Sequence, residues 1–309
     1  PLSTVDRIDY SSDTGTAPSK GPLSAVKQEV AATGNSSFGY FAGGAPSSYS
    51  IIDRVDYSND TATASPRGSL SVPRAAAAAT SRKENGHPDT SGISPVANNF
   101  GYFTAGFAAP GVSPSYLSTV NRVDYSNDTA TASVKGPLTA GEVKPMAVSS
   151  LLFGYFAGGT ESPGQVSSVD RIDYSNDTAT AATKGPLSLA RVGGAGAGNA
   201  SFGYIAGGYK PSPSITSTVD RIDYSNDTAD AVAKGPLSSG RELLAATSNH
   251  NFGYYAGGQP GFGRQSRVSR IDYTNDTPST SPKGPLSVAT TRLMAAGNAD
   301  FGYFAGGQV

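Results

Sequence analysis

The chain has no cysteine, no tryptophan and only two histidines among its 309 residues. Without cysteine there is no disulfide, no thiolate nucleophile and no thiolate metal site. The lack is neutral about compartment, because a chain this long can bury a core without crosslinks. His87 and His250 lie in different parts of the chain, neither beside a second histidine or a carboxylate cluster at ligand spacing. No metal or other cofactor is therefore expected. The net charge is −1, so there is no basic field for nucleic acid. No run of apolar residues is long enough for a spanning helix. Signal-peptide pattern and initiator Met are both missing, and the chain opens at Pro1 inside a repeat. A processed product, or the ordered part of something longer, would read this way. There is no Gly-x-Ser-x-Gly elbow and no phosphate loop.

Glycine and proline, by contrast, are plentiful, at 38 and 21 residues, and the hydrophobic share is 37%. That balance suits many short strands and tight turns. Two phrases alternate along the chain. Val-Asp-Arg-Ile-Asp-Tyr opens at Val5 and returns at Ile52, Val120, Val169, Val219 and Val268. Phe-Gly-Tyr-Phe-Ala-Gly-Gly opens at Phe38 and returns at Phe100, Phe153, Phe202, Phe252 and Phe301. Between the tyrosines that end the first phrase, the steps are 47, 68, 49, 50 and 49 residues. A period near 50 denotes an array of supersecondary units.

Residues 184–230 show one period. Lys184-Gly185-Pro186-Leu187-Ser188 is a turn. An Ala/Gly-rich stretch to Asn199 follows, then an aromatic stretch ending in Gly207-Gly208. A Pro/Ser loop leads to the β-branched, charged stretch Thr218 to Tyr224. Ser225-Asn226-Asp227-Thr228 is again a turn signal, before a short weak strand to Lys234. These are four short strands, a, b, c and d. Such a small sheet buries both faces only if neighbours stack on each side, which radial repetition achieves. Strand a has the small residues needed where blades converge on an axis: Ala31-Ala32, Ala75 to Ala79, Gly193 to Gly198, Ala245-Ala246 and Ala295-Ala296. Strand b carries Phe202 and Tyr204 on one face and Ile205 on the other, as a strand buried on both faces does.

The expected fold is thus an all-β, six-bladed β-propeller of four-stranded antiparallel blades in one domain, 1–309. Its blades span about 1–23 plus 287–309, 24–70, 71–138, 139–187, 188–237 and 238–286. The chain begins with strands c and d and finishes with a and b. Ser3 to Tyr10 should therefore pair beside Phe301 to Gly306 and remove the free edges. At least one glycine of each Gly-Gly pair should have positive φ or a crowding backbone neighbour.

The order Gly-Tyr-Ile-Ala-Gly-Gly (203–208), Val-Asp-Arg-Ile-Asp (219–223), Ser-Asn-Asp-Thr, Gly-Pro-Leu (235–237) and Arg241 resembles the kelch repeat. The kelch Trp has no counterpart, since Ala229 stands near its place, and the aromatic before Asp is Ile or Val here. Kelch-type copper-radical oxidases need a Cys–Tyr crosslink, which this chain cannot make. The wording Asp-Tyr-Ser-Asn-Asp-Thr-Ala beside Phe-Gly-Tyr-Phe-Ala-Gly-Gly also resembles repeat proteins of marine bacteriophages, notably of cyanobacteria. That resemblance implies a virion or appendage protein.

Residues that recur in every unit read as packing devices. Asp-Arg-Ile-Asp is expected to give one Arg–Asp pair per blade, within a strand or to the next blade. The Asn-Asp-Thr strings at Asn59, Asn127, Asn176, Asn226 and Asn275 are formally glycosylation sequons, and Asp-Tyr-Ser-Asn-Asp could offer oxygen to calcium. Their place at hairpin turns favours a turn role. What differs between units is more informative. From the Ser or Thr of the d–a turn to the Phe of strand b, five units take 14 residues and the second takes 29. Its surplus, near Ser81 to Pro95, is polar and is expected as an exposed a–b excursion. The b–c loops take 9, 15, 11, 12 and 11 residues. They carry Tyr49, Phe107, Tyr116, Tyr209 and Phe262, the candidate binding residues, on the face shared with the d–a turns. The expectation is a non-enzymatic structural or binding module, a phage fibre, appendage or decoration propeller on the virion or outside the cell. Its partners would be other virion proteins or a host-surface glycan or protein. The alternative is a carbohydrate-binding propeller; an enzyme with its site in the axial funnel is disfavoured by the small residues there. Assembly state is left open.

Overall fold

The computed structural model describes residues 1–81, 99–109, 115–211 and 214–309. Six antiparallel blades surround an axis. Blade 1 joins both chain ends: Met294–Gly297 and Phe301–Ala305 supply a and b, and Val5–Asp9 supplies c. Its register runs from Val5 opposite Ala305 to Asp9 opposite Phe301, as the complementary ends predict. Strand d of this blade is reduced to a bridge between Asp6 and Ser19. Blade 2 is Ala31–Gly34, Phe38–Ala42, Ile51–Asp56 and Ser65–Ser69. Blade 3 is Ala78–Ser81, Phe100–Thr104, Val120–Asp124 and Ser133–Lys135. Blades 4 to 6 repeat the order from Met146–Ser149, Ala195–Gly198 and Ala245–Ser248 outward. The polar excursion between strands a and b of blade 3 lies, past Ser81, outside the described residues, as does His87.

Apolar clusters fill the space between successive blades. Met146, Val148, Tyr155 and Leu187 of blade 4 and its outgoing turn, for example, meet Ile205 and Ile222 of blade 5. The Leu of each Gly-Pro-Leu turn, Gly-Ser-Leu at Leu70, is an anchor: Leu23, Leu70, Leu138, Leu187, Leu237 and Leu286 are all buried. Glycine before that Pro is required by close approach. A Cβ on Gly136 would overlap the Ala179 carbonyl of the next blade.

A polar clamp closes the outer part of each interface. The strand-c Arg reaches the Asp of the Asn-Asp-Thr turn, Ser-Asp-Thr at Asp13, in the following blade. Arg122 Nη1 lies 2.7 Å from Asp177 Oδ2, which also accepts from the Tyr102 hydroxyl at 3.0 Å. Lys135 Nζ lies 3.3 Å from Asp177 Oδ1. Arg122 also lies over the Phe100 ring at 4.1 Å, and Tyr102 stacks on Tyr174 of blade 4. The pattern recurs at Arg7–Asp60, Arg54–Asp128, Arg171–Asp227, Arg221–Asp276 and, across the closure, Arg270–Asp13. The expected Arg–Asp pair therefore exists, but its carboxylate comes from the turn. The two Asp residues flanking that Arg do other work. Asp173 accepts from the Ser175 amide and hydroxyl and so shapes the c–d turn. Asp170 faces the other way and accepts from the amide and hydroxyl of Thr139, pinning the incoming d–a turn.

Candidate binding face

Strands a and c run away from the d–a turns, and b and d return to them, so b–c loops and d–a turns share one face. The five loop aromatics lie on four different blades. Phe107 and Tyr116 are brought together, with rings 5.2 Å apart in an edge-to-face arrangement, because the two residues bridge across the loop of blade 3. Phe107 is 41% exposed and Tyr209 38%. Phe262 is fully solvated at 99%, on a loop whose flanking Gly261 and Gly263 both have positive φ. Tyr49 and Tyr116 are only half-buried rather than open. The Tyr49 backbone is tied between the Gly44 carbonyl and the Arg74 amide, and its ring lies 5.6 Å from the Lys27 ammonium. Loop residues 110–114 and 212–213 are outside the described residues.

Beneath these loops lies a ring of buried positions, three residues after the Ser or Thr of each d–a turn: Lys27, Arg74, Glu142, Arg191, Arg241 and Thr290. Four of them interact with the residue preceding the strand-c Arg: Lys27, Glu142, Arg191 and Arg241. Lys27 pairs with Asp53 at 3.0 Å and Arg191 with Asp220 at 2.7 Å. Arg241 instead donates to the Ser269 hydroxyl and to the Tyr255, Gly257 and Arg267 carbonyls. Burial, with the Arg267 charge adding to it, pulls the Arg241 pKa down to about 10. Burial alone does the same to Arg74, which donates to the Ala105 and Thr119 carbonyls. Glu142 stands where a cation stands in blades 2, 3, 5 and 6. Burial, then the Asp170 and Glu161 charges, push its carboxyl well above the usual range. Its Oε1 has no hydrogen-bond partner among the described residues. Arg241 was visible in the sequence as the residue after the Gly-Pro-Leu turn; the exchange to Glu142 had no motif to announce it.

At the centre of this face the residue entering each strand a has positive φ: Glu29, Ala76, Lys144, Gly193, Leu243 and Arg292, at 54° to 70°. Each amide of this ring donates to the carbonyl of its counterpart in the preceding blade. Glu29 bonds to Arg292, Ala76 to Glu29, Lys144 to Ala76, Gly193 to Lys144, Leu243 to Gly193 and Arg292 to Leu243, at 2.6–3.4 Å. The belt is continuous around the axis. Across it, Lys144 Nζ and Arg292 Nη1 converge on Glu29 Oε1 at 3.0 and 3.3 Å. Below it runs an axial cavity of about 90 Å³, lined blade by blade with Ala32, Ala79, Ala147, Gly196, Ala246 and Ala295. Among the described residues no group of three His, Asp or Glu side chains is placed to hold a metal ion.

No family model matches the chain, and no curated protein matches it. Solved structures do match, 333 chains in all. One, described as the structure of YjhT, aligns over 88% of each chain with a TM-score of 0.67 and 12% identity. Likeness at that identity concerns the fold, a β-propeller, and a fold used so widely does not specify an activity.

Proposed function

We propose that this propeller is a non-enzymatic binding and structural module, carried on a virus particle as part of a fibre, appendage or decoration. The face of the b–c loops contacts its partner, another virion protein or a host-surface molecule. One observation carries the binding part. Six blades repeat the clamp and the c–d turn with little change, while one loop class differs in length and composition from blade to blade. A frame that repeats while one loop class varies is a scaffold presenting that class. Phe262, Tyr209 and Phe107 stand solvated on those loops, and such rings bury large area at low entropic cost when a partner arrives. The virion assignment is supported by the wording of the repeats alone.

The exposed rings also favour a second reading, a carbohydrate-binding propeller stacking aromatics on sugar faces. Two measurements test both. Phe262→Ser and Phe107→Ser should leave the melting temperature within a few degrees of the parent, because neither ring is core. Each should weaken binding to particles or cells. A glycan array separates the readings: saturable glycan binding lost in these variants supports the second, and capture by capsid or tail proteins supports the first. Unchanged binding in the variants would move the contact off this face.

A further inference from the structure

The belt around the axis carries an inference that rests on the reading of this face as the partner-contacting one. Left-handed φ is free for glycine and strained for an L-residue. A belt that served only to join blades would be glycine throughout, as it is at Gly193. Five of its six positions instead hold side chains at 54° to 60°, and three of those are charged. Strain kept in this way gathers where side-chain identity matters.

We infer that the axial mouth is a receptor for one carboxylate group of a partner, with Glu29 as its built-in occupant. The incoming carboxylate would take the place of the Glu29 carboxylate between Lys144 and Arg292. The two cations come from blades 4 and 1 and meet on a single oxygen from blade 2. Their Cα positions are held by the belt, so both charges stay at the mouth if Glu29 swings away. The guanidinium offers the planar fork that suits a carboxylate, and the ammonium adds a point charge. The remaining belt residues, Ala76, Gly193 and Leu243, are uncharged, so the belt itself carries an excess of one positive charge. The seat is reachable: the Lys144 and Arg292 side chains are 27% and 35% exposed, against 14% for Glu29. A carboxylate could come from an acidic sugar or from an Asp or Glu side chain of a protein; the recognition is the same.

The test is an NMR titration of the full chain with galacturonate, with N-acetylglutamate amide and with galactose, in the parent and in Glu29→Gln. Both carboxylates should shift the amides of residues 29, 144 and 292. Glu29→Gln should tighten binding about tenfold or more, and galactose should do nothing at these positions. Adding Lys144→Met and Arg292→Met should abolish the response. Preference for galacturonate marks an acidic glycan as the source, and preference for the glutamate derivative marks an acidic peptide. Should Glu29→Gln fail to fold, Glu29→Gly keeps the belt amide and copies Gly193. The inference is overturned if neither carboxylate shifts these amides at millimolar concentration, or if binding survives loss of both cations. It is overturned alone, with the loop-face reading intact, if the aromatic substitutions weaken partner binding while Lys144→Met and Arg292→Met do not.

Discussion

Glu142 shows how much one residue can change at a position that four of the other five blades fill with a cation. Its counterparts Lys27 and Arg191 neutralise a strand-c aspartate, whereas Glu142 adds a second carboxylate beside Asp170. Its folded pKa is raised above the unfolded value, so the folded state holds the proton more tightly than the unfolded chain. The group's contribution is therefore most favourable below about pH 4.5, the ordinary Glu range, and is lost as pH rises toward the folded value. Asp227 behaves oppositely. Burial raises its pKa, but hydrogen bonds from Arg171 and Tyr155 outweigh that and hold it low. Its contribution is present above the unfolded Asp pKa and is lost on acidification through the folded value. Glu142→Gln should remove the first effect and leave the second. At neutral pH it should raise stability by about 1 kcal/mol or more, and Glu142→Arg should do at least as well by restoring a pair with Asp170. Urea midpoints from pH 4 to 8 check this. The difference between Gln variant and parent should shrink toward zero at the acid end. A parent equally stable at pH 4 and pH 8 relative to Glu142→Gln would refute the assignment.

At the scale of the element, the end of strand b shows what a repeated glycine pair does. Both members have positive φ in five blades, with the second member at 88° to 106°. Blade 3 is a natural experiment. Ala105 replaces the first glycine and sits at 62°, within the left-handed region, while Gly106 keeps the second place at 99°. Alanine is thus tolerated at the first position, and nothing but glycine occupies the second. In blade 4, Gly158→Ala should cost about 1–2 kcal/mol, the left-handed penalty for an L-residue. The new Cβ would stand 2.5 Å from the Met146 methyl and 2.6 Å from the Arg191 carbonyl oxygen, which adds crowding there. Gly159→Ala should cost more still, because φ of 104° lies well outside the left-handed well. Chemical denaturation of the two single variants tests the order, and a smaller loss for Gly159→Ala would refute it. This pair was legible beforehand, because only its φ requirement explains two adjacent glycines at a strand end. The Asp of Asn-Asp-Thr was only half legible. Turn chemistry accounts for its presence, but its clamp role depends on a neighbour about 55 residues away in sequence. Local pattern cannot show such a partner. The belt was not legible either, since Glu29, Ala76, Lys144, Leu243 and Arg292 share a backbone conformation and no side-chain type.

For the whole molecule, the complementary chain ends made the closure readable, and closure is where the ring's cohesion can be tested. The Val5–Asp9 strand gives blade 1 its third member. It also brings Arg7 to Asp60 of blade 2, while Asp13 receives Arg270 of blade 6. The Leu2 amide bonds to the Gly307 carbonyl at 2.8 Å, so the two ends already lie side by side. Two manipulations of chain connectivity then have opposite outcomes. Joining Val309 to Pro1 through a short Gly/Ser linker, and opening the chain between Pro163 and Gly164, interrupts no blade strand; only the Thr160–Gln165 bridge of that loop spans the opening. Gly164 has open space around it. This permutant should keep the β-rich circular dichroism spectrum and melt within a few degrees of the parent, as insertions at exposed loop tips generally allow. Deleting residues 1–10 should do the reverse. It strips the pairing from Phe301–Ala305, leaves that edge open and removes one clamp arginine. The truncated chain should melt far lower and associate through the bared edge, which light scattering would detect. A truncated chain that stays monomeric at the parent's melting temperature would show that the blades cohere without closure, and that the six interfaces act independently rather than as a ring.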